Sequence, residues 1–399
     1  MKGAETGRNP PAARDLSADR RVLLDVLRGC ALFGMILVHV SGFLMIPGGW
    51  WEGVTREGIA LLVQGKARAV FAFLFGVSFA LMAARLEREH RPVVPSLLRR
   101  LAALYAIGWV VEILTRFQIL REYAWWGVVL LFVRGLPTRT LLALAGLSAA
   151  ALAVRDCSNS AWLWAWHGRE QAIAADHALL DRFAAERARV ADAESGRSYP
   201  ETVVARLNTC LRGIWSYNQI TPGATLAFFL LGILAWRHGI LTAPTEHPAW
   251  LVGVGLGGVA LWGVHHWLLP AIPDVLATPM IVRHLRSGFG IVTDQALAFA
   301  YLAVGCVLLD GRTVWSRVRS GLSAAGRMGL TNYLLQAVAL EVAIWSGCSL
   351  PWWEALGWSV ALFCAQMMAS QRWLNAHPYG PVEWALRAAI HWRPIPWRR

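Results

Sequence analysis

The chain has 399 residues, 56% of them apolar and only 16% charged, with a mean hydropathy of +0.43. An average soluble domain carries about 25% charge. This chain therefore lacks the polar surface to coat several globular units, and its composition also excludes a disordered, collagen-like or disulfide-rich chain. The net charge of +13 is almost all arginine, since Lys2 and Lys66 are the only lysines. Arginine-rich loops beside anionic lipid account for it better than a nucleic-acid surface does. The 22 tryptophans fit membrane–water interfaces.

Residues 1–21 read as a cytoplasmic polar tail. Val22 to Ile46 is the first expected span, long enough to cross a core of about 30 Å. No small-residue cleavage site follows it, so it reads as a retained anchor. Further spans are expected over 67–86, 98–115, 123–135, 138–154, 217–236, 249–269, 289–309, 328–347 and 353–371. The expected fold is an all-α, polytopic transmembrane helical bundle of about ten spans. Residues 22–154 would form an N-terminal membrane bundle and 216–375 a C-terminal one, each of about five spans. Residues 376–399 read as a basic, Trp-rich interfacial tail on the inner leaflet. With the N-terminus inside, cytoplasmic segments hold 22 cationic residues and short outer loops hold seven. That bias predicts both termini in the cytoplasm of a multi-pass membrane protein.

Residues 155–215 form an extracytoplasmic segment with eight arginines and eight acids. A helix is expected around 170–193, ended by Ser195-Gly196. A solvated cap is the simpler reading of this segment, and a lid over an outward-facing site is the alternative. No cysteine pair has metal-ligand spacing, and no metal is expected. Cys157 and Cys210 flank the outer segment and are a possible disulfide.

Charges within spans mark candidate sites. Arg28 and His39 are eleven residues apart, so on a helix they share a face about 16 Å apart along the axis. A guanidinium suits phosphate or carboxylate and a histidine suits general-base work near neutral pH. The alternatives are an Asp25–Arg28 pair at i, i+3 and a buried histidine bridging helices. Lys66 and Arg68 stand at the mouth of the second span, able to bind an anion or to snorkel to headgroups. Glu112 and Glu341 either pair with arginines or line a polar cavity. Thr331, Asn332 and Gln336 adjoin on one helix face, as a polar cavity lining or as packing glue. His265 and His266 read as interfacial.

Three stretches carry a family resemblance: Leu24-Asp25-Val26-Leu27-Arg28-Gly29-Cys30-Ala31-Leu32-Phe33-Gly34; Gly65-Lys66-Ala67-Arg68 through Phe71, Phe75 and Gly76; and Gly326 to Gln336 with Tyr379-Gly380-Pro381-Val382-Glu383-Trp384. They resemble the bacterial membrane proteins of domain-of-unknown-function family 418, the YeiB-like proteins. That family looks distantly related to transmembrane acyltransferases of the acyltransferase-3 and heparan-glucosaminide acetyltransferase groups. The former carry Arg, ten residues, then His in the first span, the spacing of Arg28 and His39. Family 418 proteins commonly have Asn at the position of His39, a His late in span three, and Gly-Asp-Ile-Leu where this chain has Phe117-Gln118-Ile119-Leu120.

The resemblance implies an acyltransferase-like membrane protein moving an acyl group, acetyl foremost, from acyl-CoA to a hydroxyl or amine of a glycan, lipid or metabolite. His39 would be the base, and Arg28 with Lys66 or Arg68 would hold the anionic donor, with no bound cofactor. Expected partners are membrane lipid and a small-molecule or glycan acceptor, not nucleic acid. The rival readings are a small-molecule transporter or exporter without covalent chemistry, and a receptor or assembly protein whose 155–215 segment binds a partner.

Overall fold

The computed structural model describes residues 18–117, 119–194, 198–212, 223–240, 248–268, 290–309, 316–391 and 396–398. The tail 1–17, Gln118, Ser195-Gly196 and the end around Trp392 and Arg393 lie outside them, as do the side chains of Arg20, Arg21 and Cys157.

Among the described residues the regular structure is helical. The helices are α1 (Ala18–Phe43), α2 (Trp50–Leu62), α3 (Lys66–Arg88), α4 (Val93–Leu114), α5 (Ile119–Val133), α6 (Thr138–Glu194), α7 (Tyr199–Arg212) and α8 (Gly223–Arg237). They continue as α9 (Pro248–Gly263), extended by a π-helical turn at Val264–Leu268, then α10 (Leu297–Leu309), α11 (Ser316–Arg327), α12 (Gly329–Trp345), α13 (Trp352–Ala376) and α14 (Pro381–His391). A single bridge, Met45 to Leu350, ties the end of α1 to the α12–α13 connection.

A helix falls on each of the ten expected spans. Length and composition alone qualify four stretches to cross a membrane: Val22–Phe43, Trp50–Arg88, Pro248–Leu268 and Gly290–Val307. The others fall short for visible reasons. Helix α4 carries Arg99, Arg100 and Glu112 within its length, and α5 has 15 residues. The ninth expected span is half of a bent pair: α11 and α12 meet at 84°. Residues 138–154 do not end as a separate span, because α6 runs on to Glu194, broken only at Gly168 (φ 81°, ψ 167°).

Close packing of helices without large side chains at the crossing is the rule where lipid supplies no hydrophobic drive. Two crossings show it. A Cβ on Gly326 would lie 1.8 Å from the Asp25 carbonyl oxygen, and one on Gly29 would lie 2.4 Å from that of Leu322. Backbone contact between α1 and α11 thus requires glycine at both places. Helices α3 and α8 meet the same way, through Gly76 against Phe229 and Gly232 against Phe73. Helix α3 is central, buried on most of its circumference, and the rings of Phe75, Tyr123 and Phe229 pack beside it.

Part of the 155–215 segment packs on the other helices. Helix α7 docks on α4 and α6. Its Arg206 is buried, donating to Glu341 Oε1 at 2.7 Å and to the Leu114 carbonyl at 3.1 Å. At the other end, α14 is part of the helical packing. Leu386 and Ile390 are buried, and the helix packs on α4.

Candidate functional site

The bend between α11 and α12 opens a cavity of about 1030 Å³. Helix α1 supplies Asp25 and Arg28, α3 supplies Phe71, Phe75, Ser78 and Arg85, and α4 supplies Arg100. Tyr123 enters from α5, Arg327 and Gly329 from the bend itself, and Glu383 and Arg387 from α14. Seven arginines line it (Arg28, Arg85, Arg88, Arg91, Arg100, Arg327 and Arg387), against three acids, Asp25, Glu89 and Glu383.

The acids are already engaged. Asp25 Oδ1 accepts from Arg28 Nη1 at 2.5 Å, while Arg28 Nη2 donates to Ser78 Oγ at 2.5 Å. Glu89 pairs with Arg85 at 2.6 Å and with Arg91 at 3.7 Å. Glu383 caps α12: it accepts from the N–H of Leu330 at 2.7 Å, the N–H of Thr331 at 3.0 Å and Thr331 Oγ1 at 2.5 Å. A carboxylate at a helix N-terminus is favoured by the free N–H groups and the dipole. This contact explains why the Gly326–Gln336 and Tyr379–Trp384 stretches form one motif, although about fifty residues separate them.

Arg100, Arg327 and Arg387 stand farther from these carboxylates. Arg100 has the Met82 sulfur at 2.9 Å and the Phe75 ring at 5.8 Å, Arg387 lies 4.2 Å over the Tyr379 ring, and Arg327 reaches the Pro378 carbonyl at 3.4 Å. No carboxylate among the described residues forms an ion pair with any of them. Planar guanidiniums recognise phosphate oxygens in pairs. Phe71, Leu104, Ile119, Leu120, Tyr123 and Tyr333 supply an apolar and aromatic wall. The cavity is therefore suited to an amphiphilic polyanion.

Of the donor-binding and catalytic residues expected from the sequence, Arg28 lines this cavity, beside its neighbour Asp25 and residues of all three motif stretches. His39 packs against Phe117 with the rings tilted by 47° and their centroids 4.5 Å apart, and just beyond Phe117 in the chain Ile119 and Leu120 line the cavity. Lys66 is fully buried, its Nζ 2.6 Å from Asp294 Oδ1 and 3.3 Å from the Ala60 carbonyl. Arg68 faces Glu122 Oε2 at 3.8 Å. Both cations thus answer acids of their own chain rather than the cavity.

The two glutamates pair with arginines. Glu112 takes Arg121 at 3.0 Å, and Glu341 takes Arg206 at 2.7 Å, Arg116 at 3.4 Å and Trp345 Nε1 at 2.9 Å. Asn332 Nδ2 donates to the Ala325 carbonyl at 3.0 Å and Ser370 Oγ at 2.9 Å, and Gln336 Nε2 donates to Gln366 Oε1 at 2.9 Å. With Thr331 on Glu383, these three are packing glue of the α12–α13–α14 corner. Cys210 carries a free, buried thiol beside Glu112. Burial, then the Glu112 carboxylate, pushes that thiol up to about 11. Ser78, Arg100 and Arg387 are among the cavity residues that sequence reasoning did not single out, and Glu383 entered it only as a member of a motif stretch.

Apolar helices and a basic cavity at a broken span define an all-α membrane protein. Comparison with known proteins places it further. Residues 235–393 match the family described as protein of unknown function (DUF418), and residues 20–173 match the family described as heparan-alpha-glucosaminide N-acetyltransferase, catalytic. The chain is similar to the uncharacterized protein YxaH of Bacillus subtilis, at 27% identity over 95% of this chain and 97% of that one. It is also similar to the uncharacterized protein YeiB of Escherichia coli, at 26% identity over 92% and 96%. No solved structure matches. The resemblance carried by the motifs therefore stands, and the cavity draws its walls from both matched regions.

Proposed function

We propose that this protein is a membrane-bound acyltransferase whose donor is an acyl-CoA, and that the arginine-lined cavity holds the donor. The carrying observation is the excess of seven arginines over three acids in the cavity, next to an aromatic wall. CoA offers the matching shape, a polyphosphate head and a long thioester arm. The match of residues 20–173 to an acetyltransferase catalytic region supports acetyl as the group moved. Arg28, Arg100, Arg327 and Arg387 hold the phosphates, replacing Lys66 and Arg68 in that role. Six of the arginines assigned to the cytoplasmic side by charge bias, Arg85, Arg88, Arg91, Arg100, Arg327 and Arg387, line this one cavity, which supports donor entry from the cytoplasm of an inner-membrane protein.

The reaction is attack of an acceptor O–H or N–H on the thioester carbonyl carbon. The new C–O or C–N bond forms, the C–S bond breaks, and the acceptor proton passes by way of His39 to the departing thiolate. Reaching His39 means that the thioester arm passes the Ile119–Leu120 wall towards Phe117. The acceptor is a hydroxyl or amine of a glycan, lipid or metabolite.

The test is calorimetric titration of acetyl-CoA into detergent-purified protein. Saturable binding is expected, weakened about tenfold or more in Arg28→Ala and Arg387→Ala, since a charge-assisted contact contributes about 1.5–3 kcal/mol. Arg139→Ala, an exposed charge on α6, should bind as the wild type does. Absence of binding at millimolar donor by protein with an intact thermal transition would refute the reading. His39→Ala should then bind donor yet transfer nothing, and retained turnover would remove His39 from the mechanism.

A second reading, transport, draws on the 84° break between α11 and α12, since broken helices build transporter sites. It predicts gradient-dependent flux of an anion without chemical change.

A further inference from the structure

At its C-terminal end α9 passes into the π-helical turn Val264–Leu268. Such turns are rare and concentrate at functional positions, because the wider turn moves side chains off the ordinary helical faces. Here the turn carries His265 and His266 to Asp294, so that one ligand atom from each lies within 4.8 Å of the others. His266 Nδ1 stands 3.2 Å from the Trp262 carbonyl oxygen. That oxygen only accepts, so Nδ1 bears the proton and Nε2 keeps its lone pair, 4.0 Å from Asp294 Oδ1. His265 Nδ1 is buried with no hydrogen-bond partner. Gly290 keeps the space open: a Cβ there would lie 2.8 Å from His265 Cε1. Three electron-pair donors converge, and one of them is otherwise unused. Lys66 engages Asp294 through Oδ1.

We propose that His265, His266 and Asp294 form a site for a divalent transition-metal ion of the zinc class. Imidazole nitrogen suits zinc, and two histidines with one carboxylate leave a fourth position for water or substrate. Zinc bonds of about 2.0–2.2 Å place tetrahedral ligands about 3.3–3.5 Å apart. The 4.0 Å separation closes to that by small side-chain rotations. The His266–Trp262 hydrogen bond is the outer contact that fixes ring and tautomer in metal sites. His266 and Asp294 are about a quarter exposed, 23% and 25%, so an ion has a way in. Lys66 is a positioning residue: it orients Asp294, and its ammonium weakens ion affinity by repulsion.

This site stands apart from the arginine cavity and does not depend on the acyltransferase reading. Its test uses full-length, chelator-stripped protein in detergent, titrated with Zn²⁺ by calorimetry and with Co²⁺ by visible absorption. One ion per chain is expected, with Co²⁺ bands of a four- or five-coordinate nitrogen–oxygen site. His265→Gln, His266→Gln and Asp294→Asn should each weaken binding at least about tenfold and lose those bands while keeping the thermal transition. Lys66→Gln, which keeps a donor to Asp294 and removes the charge, should bind more tightly. Three outcomes would each overturn the proposal: no uptake at millimolar Zn²⁺, full uptake by the ligand variants, or unchanged affinity in Lys66→Gln, because an ion on Asp294 must feel that ammonium.

Discussion

Glu383→Gln separates the two jobs of one carboxylate. Glu383 accepts two backbone N–H bonds at 2.7 and 3.0 Å and the Thr331 hydroxyl at 2.5 Å, all at the first turn of α12. An amide oxygen keeps the backbone bonds but without charge. Charge-assisted bonds contribute about 1.5–3 kcal/mol against about 0.5–1.5 for neutral ones, so two of them lose about 2 kcal/mol together. The dipole interaction adds about 0.3–1 kcal/mol. The expected cost is thus about 2–3 kcal/mol, which lowers the unfolding midpoint by several degrees. Removing the same charge raises the positive potential of the cavity that Glu383 lines. At about 8 Å and an effective dielectric constant of about 20 one charge contributes about 2 kcal/mol, and screening at an open mouth brings this nearer 1 kcal/mol. The variant should therefore melt earlier yet bind acetyl-CoA about fivefold more tightly. Scanning fluorimetry and calorimetry on the same preparation read both. A wild-type midpoint, or weaker donor binding in folded protein, would refute the assignment of Glu383 as a cap standing in a cation-rich cavity.

Three further outcomes follow from the packing. Gly326→Ala and Gly76→Ala would place Cβ atoms 1.8 and 2.1 Å from the Asp25 and Phe229 carbonyl oxygens. Each should cost about 1–3 kcal/mol or more, seen as a lower midpoint, and a wild-type midpoint would mean that these helices are not in backbone contact. Arg206→Met strands Glu341, whose remaining arginine is Arg116 at 3.4 Å. A loss of about 3 kcal/mol is expected, with faster cleavage of α7 in limited proteolysis; an unchanged cleavage rate would show that the Arg206–Glu341 pair does not hold α7. Cys210, with its thiol pushed up to about 11, is protonated near neutral pH, so in a variant retaining only this cysteine, maleimide labelling should be slow near pH 7. The rate should climb about tenfold per pH unit through alkaline pH, because the thiolate is the reacting form; fast labelling of folded protein near pH 7 would show that the thiol is not held in that environment.

The helices on the expected spans were legible because each is an apolar run, and that signal needs no partner. The break at Met328 was not. Residues 316–327 carry Arg317, Arg319 and Arg327 and fall outside the expected spans, yet Gly321, Ser323, Ala324, Ala325 and Gly326 form a small-residue face that lies buried. That face was the available signal, and only its fit to α1 gives it meaning. Arg28 was legible because a charge within a span is expensive. Arg100 escaped because it follows Arg99 at a span end, where snorkelling explains any arginine, and Arg387 because a Trp- and Arg-rich end reads as an interfacial anchor. Asp294 was within reach of the rule that flagged Arg28, since it falls inside the eighth expected span. Its pairing with Lys66, 228 positions away in the chain, was not, because tertiary approach alone brings those residues together.

The bend itself bears on the choice between chemistry and transport. In broken-helix transporters the freed backbone ends hold the substrate and release it as one half rocks against the other. Here the freed N-terminus of α12 is closed by a carboxylate from α14, and Val382 N–H returns a bond to Thr331 Oγ1 at 3.2 Å. Helix α11 lies in backbone contact with α1 through Gly326. Both halves of the break are thus fastened to neighbours by short polar contacts and glycine crossings. Rocking there would have to break the charge-assisted bonds of Glu383 to the first-turn donors of α12, at about 1.5–3 kcal/mol each. What the cavity presents to a ligand is then not backbone but guanidinium, fixed in place. A preorganised cluster of cations with no moving hinge suits a site that positions a polyanionic donor for reaction, which is why the acyltransferase reading ranks above transport.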